Sequence, residues 1–123
     1  MKIKKRIITE VWLECPHVPG LSVSSFGRVM ITPFISHVRS YGGTPTVGYV
    51  NSGRYIYNYR RITYKVHRLV CRTFNGPPPF PEAVVMHIDE DFENNRPGNL
   101  LWGTQKENLN APKFLRYCRG RIS

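Results

Sequence analysis

A proline-rich segment places the strongest limit on how this chain can fold. The stretch Gly76-Pro77-Pro78-Pro79-Phe80-Pro81 contains four prolines within six residues. Proline lacks a backbone N–H donor and disfavours helical geometry in the residue before it, so neither a helix nor a central strand continues through this segment. The sequence therefore predicts one part before the proline segment and another after it. With 123 residues, 41% of them hydrophobic, the chain has the size of a single domain with one modest core.

Short strands are predicted upstream of the proline segment. Apolar and β-branched residues around the turn-forming pairs Pro19-Gly20 and Phe26-Gly27 indicate the first three strands. The interval Asn51-Ser52-Gly53 suits a hairpin between the last two, which are rich in Tyr and Arg. The predicted strands cover residues 12–13, 21–24, 28–31, 46–50 and 55–64. Residues 33–43 are expected to form a loop.

The spacing of apolar residues changes from strand-like to helical at Lys65. Four apolar residues at helical spacing predict a helix of about two turns with one buried face; they are Val66, Leu69, Val70 and Phe74. After the proline segment, apolar runs at 83–86 and 99–102 flank a polar interval and predict a hairpin with a long loop. Thr104-Gln105-Lys106-Glu107 has the form of a capping box and predicts a helix that carries Asn108.

The charge distribution predicts a polyanionic partner. The formal net charge is +10, and no acidic residue occurs between Cys15 and Pro81, where eight Lys and Arg residues lie. Such a basic surface favours nucleic acid through counterion release, although a merely solubilising charge is the plain alternative. Double-stranded DNA is the expected partner, with RNA left open. The expected contacts to nucleic acid are Arg28, Arg54, Arg60, Arg61, Lys65 and Arg68.

Cysteine use and hydropathy predict a soluble, intracellular protein. Cys15, Cys71 and Cys118 are an odd, widely spaced set without a C-x-x-C pair, which argues against a disulfide framework and for a reducing compartment. No apolar run approaches the roughly 20 residues of a membrane span, and the charged amino terminus is not followed by the apolar stretch of a signal peptide. A membrane partner is therefore not expected.

Five motifs follow one another in a recognisable order across the second half of the chain. They are Val66-His67-Arg68-Leu69-Val70, His87-Ile88-Asp89, Asn94-Asn95-Arg96-Pro97, Asn99-Leu100 and Trp102-Gly103-Thr104-Gln105-Lys106-Glu107-Asn108. Together they resemble the HNH endonucleases of the phage and homing type. Upstream, Trp12 and the segment Pro19-Gly20-Leu21-Ser22-Val23-Ser24-Ser25-Phe26-Gly27-Arg28-Val29 are similar to the short DNA-binding module that often precedes that nuclease domain.

The resemblance implies an α+β fold in which three segments share a single domain, residues 1–123. Residues 10–64 would be a small β-rich module that binds nucleic acid, and residues 65–110 an HNH unit of the ββα-metal, or His-Me finger, type. Residues 111–123 would be a basic carboxy-terminal tail. The implied activity is that of a metal-dependent endonuclease that hydrolyses a phosphodiester bond in DNA, as nicking and homing enzymes do.

The resemblance also implies roles for four residues. His87 would be the general base, because an imidazole, whose ordinary pKa is about 6.5, takes a proton from water near neutral pH. Asn99 would hold the long loop by hydrogen bonds and so fix the orientation of the His87 side chain. Asn108 would offer its amide oxygen to one divalent ion, Mg²⁺ or Mn²⁺, with Zn²⁺ as the alternative ion, and Asp89 would assist.

Met86 departs from the HNH pattern, because the residue before the general base is usually Asp, Asn or His and supplies a metal ligand. A thioether is a poor ligand for a hard cation, so the alternative function is a non-cleaving DNA or RNA binder within a larger nucleoprotein or phage assembly. Asn94 and Asn95 are interpreted as loop-shaping residues, and His67 as a packing or phosphate-contacting one. A zinc-binding module is the other alternative, with Cys15, His17, His67 and Cys71 as ligands.

Overall fold

A computed structural model of the chain describes residues 9–106. These residues form short antiparallel strands around one α-helix, in line with the predicted mixture of strands and helix. The strands are β1 (Trp12–Glu14), β2 (Leu21–Ser24), β3 (Val29–Ile31), β4 (Phe34–Ser36), β5 (Arg39–Tyr41), β6 (Tyr49–Asn51), β7 (Arg54–Tyr59), β8 (Ile62–Lys65), β9 (Val84–His87) and β10 (Leu100–Gly103). The helix, α1, spans Val66–Asn75, and a 3-10 turn spans Pro97–Asn99.

The first three strands form an antiparallel sheet in the order β1-β2-β3, here called the N-terminal sheet. Every residue of β2 is buried, and Leu21 and Val23 have no exposed surface. The turn between β2 and β3 is held by Ser24, whose Oγ accepts hydrogen bonds from the backbone N–H groups of Phe26 and Arg28 (3.2 and 3.1 Å). The three strands predicted for this region are confirmed.

Two hairpins differ from the prediction. Residues 33–43, expected to be a loop, contain the hairpin β4–β5, and the strand expected over 55–64 is broken into β7 and β8. Both hairpins turn on two consecutive residues with positive φ, His37-Val38 (49° and 61°) and Arg60-Arg61 (49° and 65°). Asn and Gly are the usual sequence signals of such turns because they tolerate positive φ, and neither occurs at these positions. The sequence therefore carried no local signal for either turn.

Helix α1 packs one face into the hydrophobic core, as its apolar spacing predicts. Val66, Leu69 and Val70 are buried, and Phe74 packs against the same core. The other core residues come from both sides of the proline segment; they are Cys15, Val18, Leu21, Val23, Val29, Cys71 and Leu100. The proline segment therefore interrupts the chain but not the core, and removal of these apolar side chains from water stabilises both parts together.

The hairpin predicted after the proline segment is confirmed as β9 paired with β10. His87 ends β9 and lies opposite Leu100, the first residue of β10. Nε1 of Trp102 donates a hydrogen bond to the backbone oxygen of Gly76 (3.1 Å). Because Gly76 follows α1 directly, this bond connects the hairpin to the end of the helix.

The helix predicted after the hairpin is described only at its start, where Gln105 and Lys106 have helical geometry. Asn108 and the predicted basic tail at 111–123 lie outside the described residues. Across residues 9–106, every helix falls short of the length and apolar character that a membrane span needs.

Candidate functional site

His87 is positioned by the end of a strand and the turn that follows it. It is the last residue of β9, and its backbone oxygen accepts a hydrogen bond from the N–H of Glu90 (3.0 Å), so the chain turns directly after it. The side chain is half-buried. Its Nε2 lies 2.7 Å from Oδ1 of Asn95, and its ring centroid lies 5.4 Å from that of His67. Two side chains from different segments therefore contact the imidazole.

Residues 88–99, here called the site loop, connect His87 to β10 through a network of polar bonds. Asn99 is central to it: Nδ2 donates to Oδ1 of Asp89 and to the backbone oxygen of Asn94 (2.9 Å each), and Oδ1 accepts from the N–H of Asp89 (3.1 Å). These bonds join the two ends of the loop. Asn99 thereby holds the chain two residues beyond His87, while its own hydrogen bonds go to the loop and not to the imidazole.

The carboxylate of Asp89 is engaged inside the site loop. Its Oδ1 accepts hydrogen bonds from Nδ2 of Asn99 and the N–H of Asp91 (2.9 Å each), and its Oδ2 accepts from Nδ2 of Asn94 (2.8 Å). Partial burial raises the pKa of this carboxyl, but the bonds from Asn94, Asp91 and Asn99, together with the nearby His87, outweigh burial and leave the pKa lowered. Asp89 is thus an ionised acceptor for donors of its own loop.

A cavity of about 350 Å³ beside His87 is here called the basic cleft. The residues that line it are Ser52, Gly53, Arg54, Lys65, His67, Arg68, Val84, Val85, His87, Phe92 and Gln105. Arg54, Lys65 and Arg68 are cationic, and no lining residue is acidic. Because these like charges line one cavity, the charges of Arg54 and Arg68 add to burial in lowering the pKa of Lys65. An anionic ligand would relieve their mutual repulsion.

The structure brings three of the six predicted nucleic-acid contacts to the basic cleft beside His87; they are Arg54, Lys65 and Arg68. The other three lie elsewhere. The guanidinium of Arg28 pairs with the carboxylate of Glu10 and lies 5.8 Å from the ring centroid of Trp12. Arg60 and Arg61 form the turn between β7 and β8. Arg28 is therefore already neutralised by Glu10, whereas no ion pair with an acidic residue of the range 9–106 neutralises the cleft cations.

His67 lies beside His87 as an uncharged imidazole. Burial is the main cause that lowers its pKa to about 3, and the positive charges of His87, Lys65, Arg54 and Arg68 add to it. Its Nδ1 is buried and has no hydrogen-bond partner among residues 9–106. His67 therefore adds no positive charge to the basic cleft near neutral pH.

The four residues of the zinc alternative are not gathered into a site. Cys15 and Cys71 are free thiols in the core, and burial raises the pKa of Cys71 to about 11, which opposes the thiolate that zinc binds. In the part of the chain that the structure describes, no group of three or more His, Cys, Asp or Glu side chains is arranged to hold a metal ion.

Asn95 and Gly27 shape the site directly, although neither is predicted from the sequence to have a role at the imidazole. Asn95 is only 3% exposed and is the residue whose amide contacts His87. A Cβ added to Gly27 would lie 2.7 Å from both the backbone carbon and the Cβ of Asn95. The guanidinium of Arg96 lies 4.5 Å from the ring centroid of Phe26. The turn between β2 and β3 therefore packs on the site loop, a contact for which the sequence carries no local signal.

Comparison with known proteins identifies the segment that contains this site. Residues 64–110 match the family model described as HNH endonuclease. This segment, which contains His87 and the site loop, therefore matches the HNH endonuclease family. An uncharacterized HNH endonuclease of Acanthamoeba polyphaga mimivirus is 31% identical over 108 residues, which make up 82% of this chain and 25% of the relative. The chain thus spans about a quarter of that relative's length. A solved structure of DNA binding and cleavage by the HNH homing endonuclease I-HmuI aligns with 89% of this chain and 59% of its own, at 22% identity and a TM-score of 0.49.

HNH nucleases generally use a divalent metal ion, and the described part of this HNH segment offers little to hold one. Met86, at the position before His87, is 2% exposed, lies opposite Leu101 in the hairpin and supplies no oxygen ligand. The carboxylate of Asp89 already accepts three hydrogen bonds within the site loop. The side chains of residues 9–106 therefore do not fit a metal ion on their own.

Proposed function

We propose that this chain binds double-stranded DNA at the basic cleft and hydrolyses a phosphodiester bond there, with His87 as the general base. The observation that carries the proposal is that His87 lines a cleft whose charged residues, Arg54, Lys65 and Arg68, are all cationic. A DNA backbone supplies the anion that such a lining favours. The match of residues 64–110 to the HNH endonuclease family supports the same chemistry.

In the proposed reaction, a backbone phosphate lies in the basic cleft, where Arg54 and Lys65 offset its charge. The imidazole of His87 takes a proton from a water molecule while the water oxygen forms a bond to phosphorus. The bond between phosphorus and the leaving nucleoside oxygen breaks, and that oxygen takes up a proton from solvent. His87 then returns its proton to water, and the product is a nicked strand. Asn99 contributes by holding the site loop.

The divalent ion enters this proposal as an experimental variable. Mg²⁺ or Mn²⁺ is the proposed cofactor, with Zn²⁺ as the alternative, and Asn108 and Asp89 are the candidate ligands. Asn108 lies outside the described residues, and Asp89 is committed to its loop. The cleavage assay therefore compares Mg²⁺, Mn²⁺, Zn²⁺ and chelator.

Conversion of supercoiled plasmid to the open-circle form tests the proposal. Wild-type protein, His87→Ala and His37→Ala are compared in Mg²⁺, Mn²⁺, Zn²⁺ or chelator, His37 being an exposed histidine in the β4–β5 turn, outside the basic cleft. We expect ion-dependent nicking by the wild type, a rate at least about 100-fold lower for His87→Ala, and no change for His37→Ala. Equal rates for wild type and His87→Ala would contradict the assignment of the base.

A nucleic-acid binder that does not cleave is the second candidate function, and the buried Met86 at the usual metal-ligand position favours it. In this case the basic cleft would bind a backbone within a larger nucleoprotein or phage assembly. The discriminating result is salt-sensitive binding of a DNA duplex without nicking under any ion condition. A matched RNA duplex belongs in the same binding series, and a clear preference for it would replace DNA as the partner.

A further inference from the structure

We propose that Asn95 is a positioning residue that fixes which ring nitrogen of His87 carries the proton, and that the N-terminal sheet holds Asn95 in place. The proposal deepens the proposed function, because it rests on His87 as the general base. Which of the two ring nitrogens carries the hydrogen can be measured without any cleavage.

The direction of the hydrogen bond between His87 and Asn95 follows from the two atoms in contact. Nε2 of His87 lies 2.7 Å from Oδ1 of Asn95, a distance typical of a strong hydrogen bond. A carboxamide oxygen accepts and cannot donate, so Nε2 has to carry the hydrogen. A neutral imidazole has one N–H group, which leaves Nδ1 with the free lone pair. Nδ1 is then the nitrogen that accepts the proton of the attacking water.

Asn95 differs from the other amides of the site loop in its partner and in its burial. The amides of Asn94 and Asn99 bond to Asp89 and to the loop backbone. The amide of Asn95 bonds to the imidazole and is 3% exposed, so water competes little for its oxygen. The ring of His67, 5.4 Å away between centroids, contacts the imidazole as well and limits its rotation.

Contacts from the turn between β2 and β3 keep Asn95 in place. A Cβ on Gly27 would approach the backbone carbon and Cβ of Asn95 to 2.7 Å and its backbone oxygen to 2.8 Å, so the two residues are in direct contact without space between them. The neighbouring pair, Arg96 over Phe26, adds a second contact between the same two segments. The N-terminal sheet, which the resemblance links to nucleic-acid binding, therefore also supports the loop that sets the base.

Nitrogen-15 NMR of the histidine rings in the full chain tests the proposal, at about pH 8.5, where an ordinary imidazole is neutral. We expect His87 of the wild type in the Nε2–H form. Asn95→Leu removes the acceptor and should give a mixture of both forms, whereas Asn95→Asp keeps an acceptor oxygen and should keep the Nε2–H form. Asn94→Ala is the matched control. It removes two site-loop bonds, one to Asp89 and one from the N–H of Arg96, but leaves the bond between Asn95 and His87, and should keep the wild-type form.

An Nδ1–H ring in the wild type, or an unchanged Nε2–H ring in Asn95→Leu, would overturn the proposal. Far-UV circular dichroism and thermal melting establish that each variant is folded. If Asn95→Leu does not fold, Asn95→Ser takes its place. In either case, the nitrogen-15 spectrum of the wild type still shows which ring nitrogen of His87 carries the hydrogen. Where the wild type nicks plasmid, Asn95→Leu should lower the rate about 10- to 100-fold, whereas Asn58→Ala, at an exposed position of β7 outside the site, should leave it unchanged. An Asn95→Leu rate equal to that of the wild type would also overturn it. Where the wild type does not nick, the proposed function fails, and the ring measurement still decides the role of Asn95.

Discussion

The site loop and the basic cleft both contact His87, but their polar groups differ in whether they have partners within the chain. In the site loop, the carboxylate of Asp89 and the amide of Asn99 bond to each other and to the backbone. In the basic cleft, Arg54 and Lys65 form no ion pair with any acidic residue of the described chain. Polar groups satisfied within the chain hold a shape, whereas clustered charges without a counter-charge favour a ligand. The difference indicates that positioning and binding are separate properties of two neighbouring regions.

The largest effect should come from filling the contact behind the site loop. Gly27 and Gly53 have similar backbone geometry, with φ of +82° and +75°, but a Cβ at Gly27 meets Asn95 and one at Gly53 meets nothing within 4 Å. Gly53→Ala should therefore cost only the strain of positive φ, about 1 kcal/mol, and Gly27→Ala about 3 kcal/mol or more. Urea unfolding of both variants measures the difference. Equal costs would mean that the loop does not depend on this contact.

The next effect concerns the hydrogen bonds of the site loop itself. Asn99→Ala removes three bonds, one of them to a carboxylate, and should lower the free energy of unfolding by about 2–3 kcal/mol. Amide exchange at Asp89 should become faster in the same variant, since its N–H loses its partner. Asn58→Ala is the control, because Asn58 accepts one exposed bond from Thr63 and its loss should cost less than about 0.5 kcal/mol. Similar costs at the two positions would remove the distinction between the loop and an ordinary surface.

Much of the fold could be predicted because its signals are local. Helix α1 is visible in the spacing of Val66, Leu69 and Val70, and all three are buried. The hairpin β4–β5 is not predicted, because its turn depends on positive φ at His37 and Val38. A β-branched residue such as Val38 rarely adopts positive φ, so the sequence contains no local signal for this turn. Local conformational preference therefore predicts an element correctly where tertiary packing agrees with it. It fails where the surrounding structure imposes an unusual backbone conformation.

The candidate site was only partly visible for a different reason. The order of the motifs was enough to single out His87 and Asn99, and the structure brings both into one hairpin with its loop. The choice among Asn94, Asn95 and Asn99 as the partner of the imidazole was beyond the sequence, because all three are the same residue type in one polar loop. What distinguishes Asn95 is the approach of Gly27 from a distant segment, and such a contact exists only in the folded chain.

The pH dependence of stability tests whether the charge of the basic cleft comes from Arg and Lys alone. The pKa of His67 is about 3 in the folded chain and 6.5 ordinarily, so between these values the unfolded chain binds more protons. Stability is therefore lost as the pH falls below about 6.5, with a slope of up to about 1.4 kcal/mol per pH unit. His67→Gln should lack this contribution, whereas the exposed His37→Gln should retain it. A wild-type minus His67→Gln difference that stays flat between pH 6.5 and about 4.5 would mean that folding does not lower the pKa of His67, and that the cleft gains a fourth cation below about pH 6.5.

The smallest effect separates a specific cleft from a generally basic surface. Arg54→Gln with Lys65→Gln removes two charges from the cleft, and Arg60→Gln with Arg61→Gln removes two from the β7–β8 turn, so both double variants have the same net charge. Each phosphate contact contributes about 0.9 to the slope of log affinity against log salt for duplex DNA. Fluorescence anisotropy with a labelled duplex and no divalent ion should therefore give a slope that is smaller by about 2, and roughly tenfold weaker binding, for the cleft pair. The turn pair should lose clearly less, because Arg60 and Arg61 lie outside the cleft. Equal losses would show that DNA binding depends on total charge, and the basic cleft would then not be the DNA-binding site.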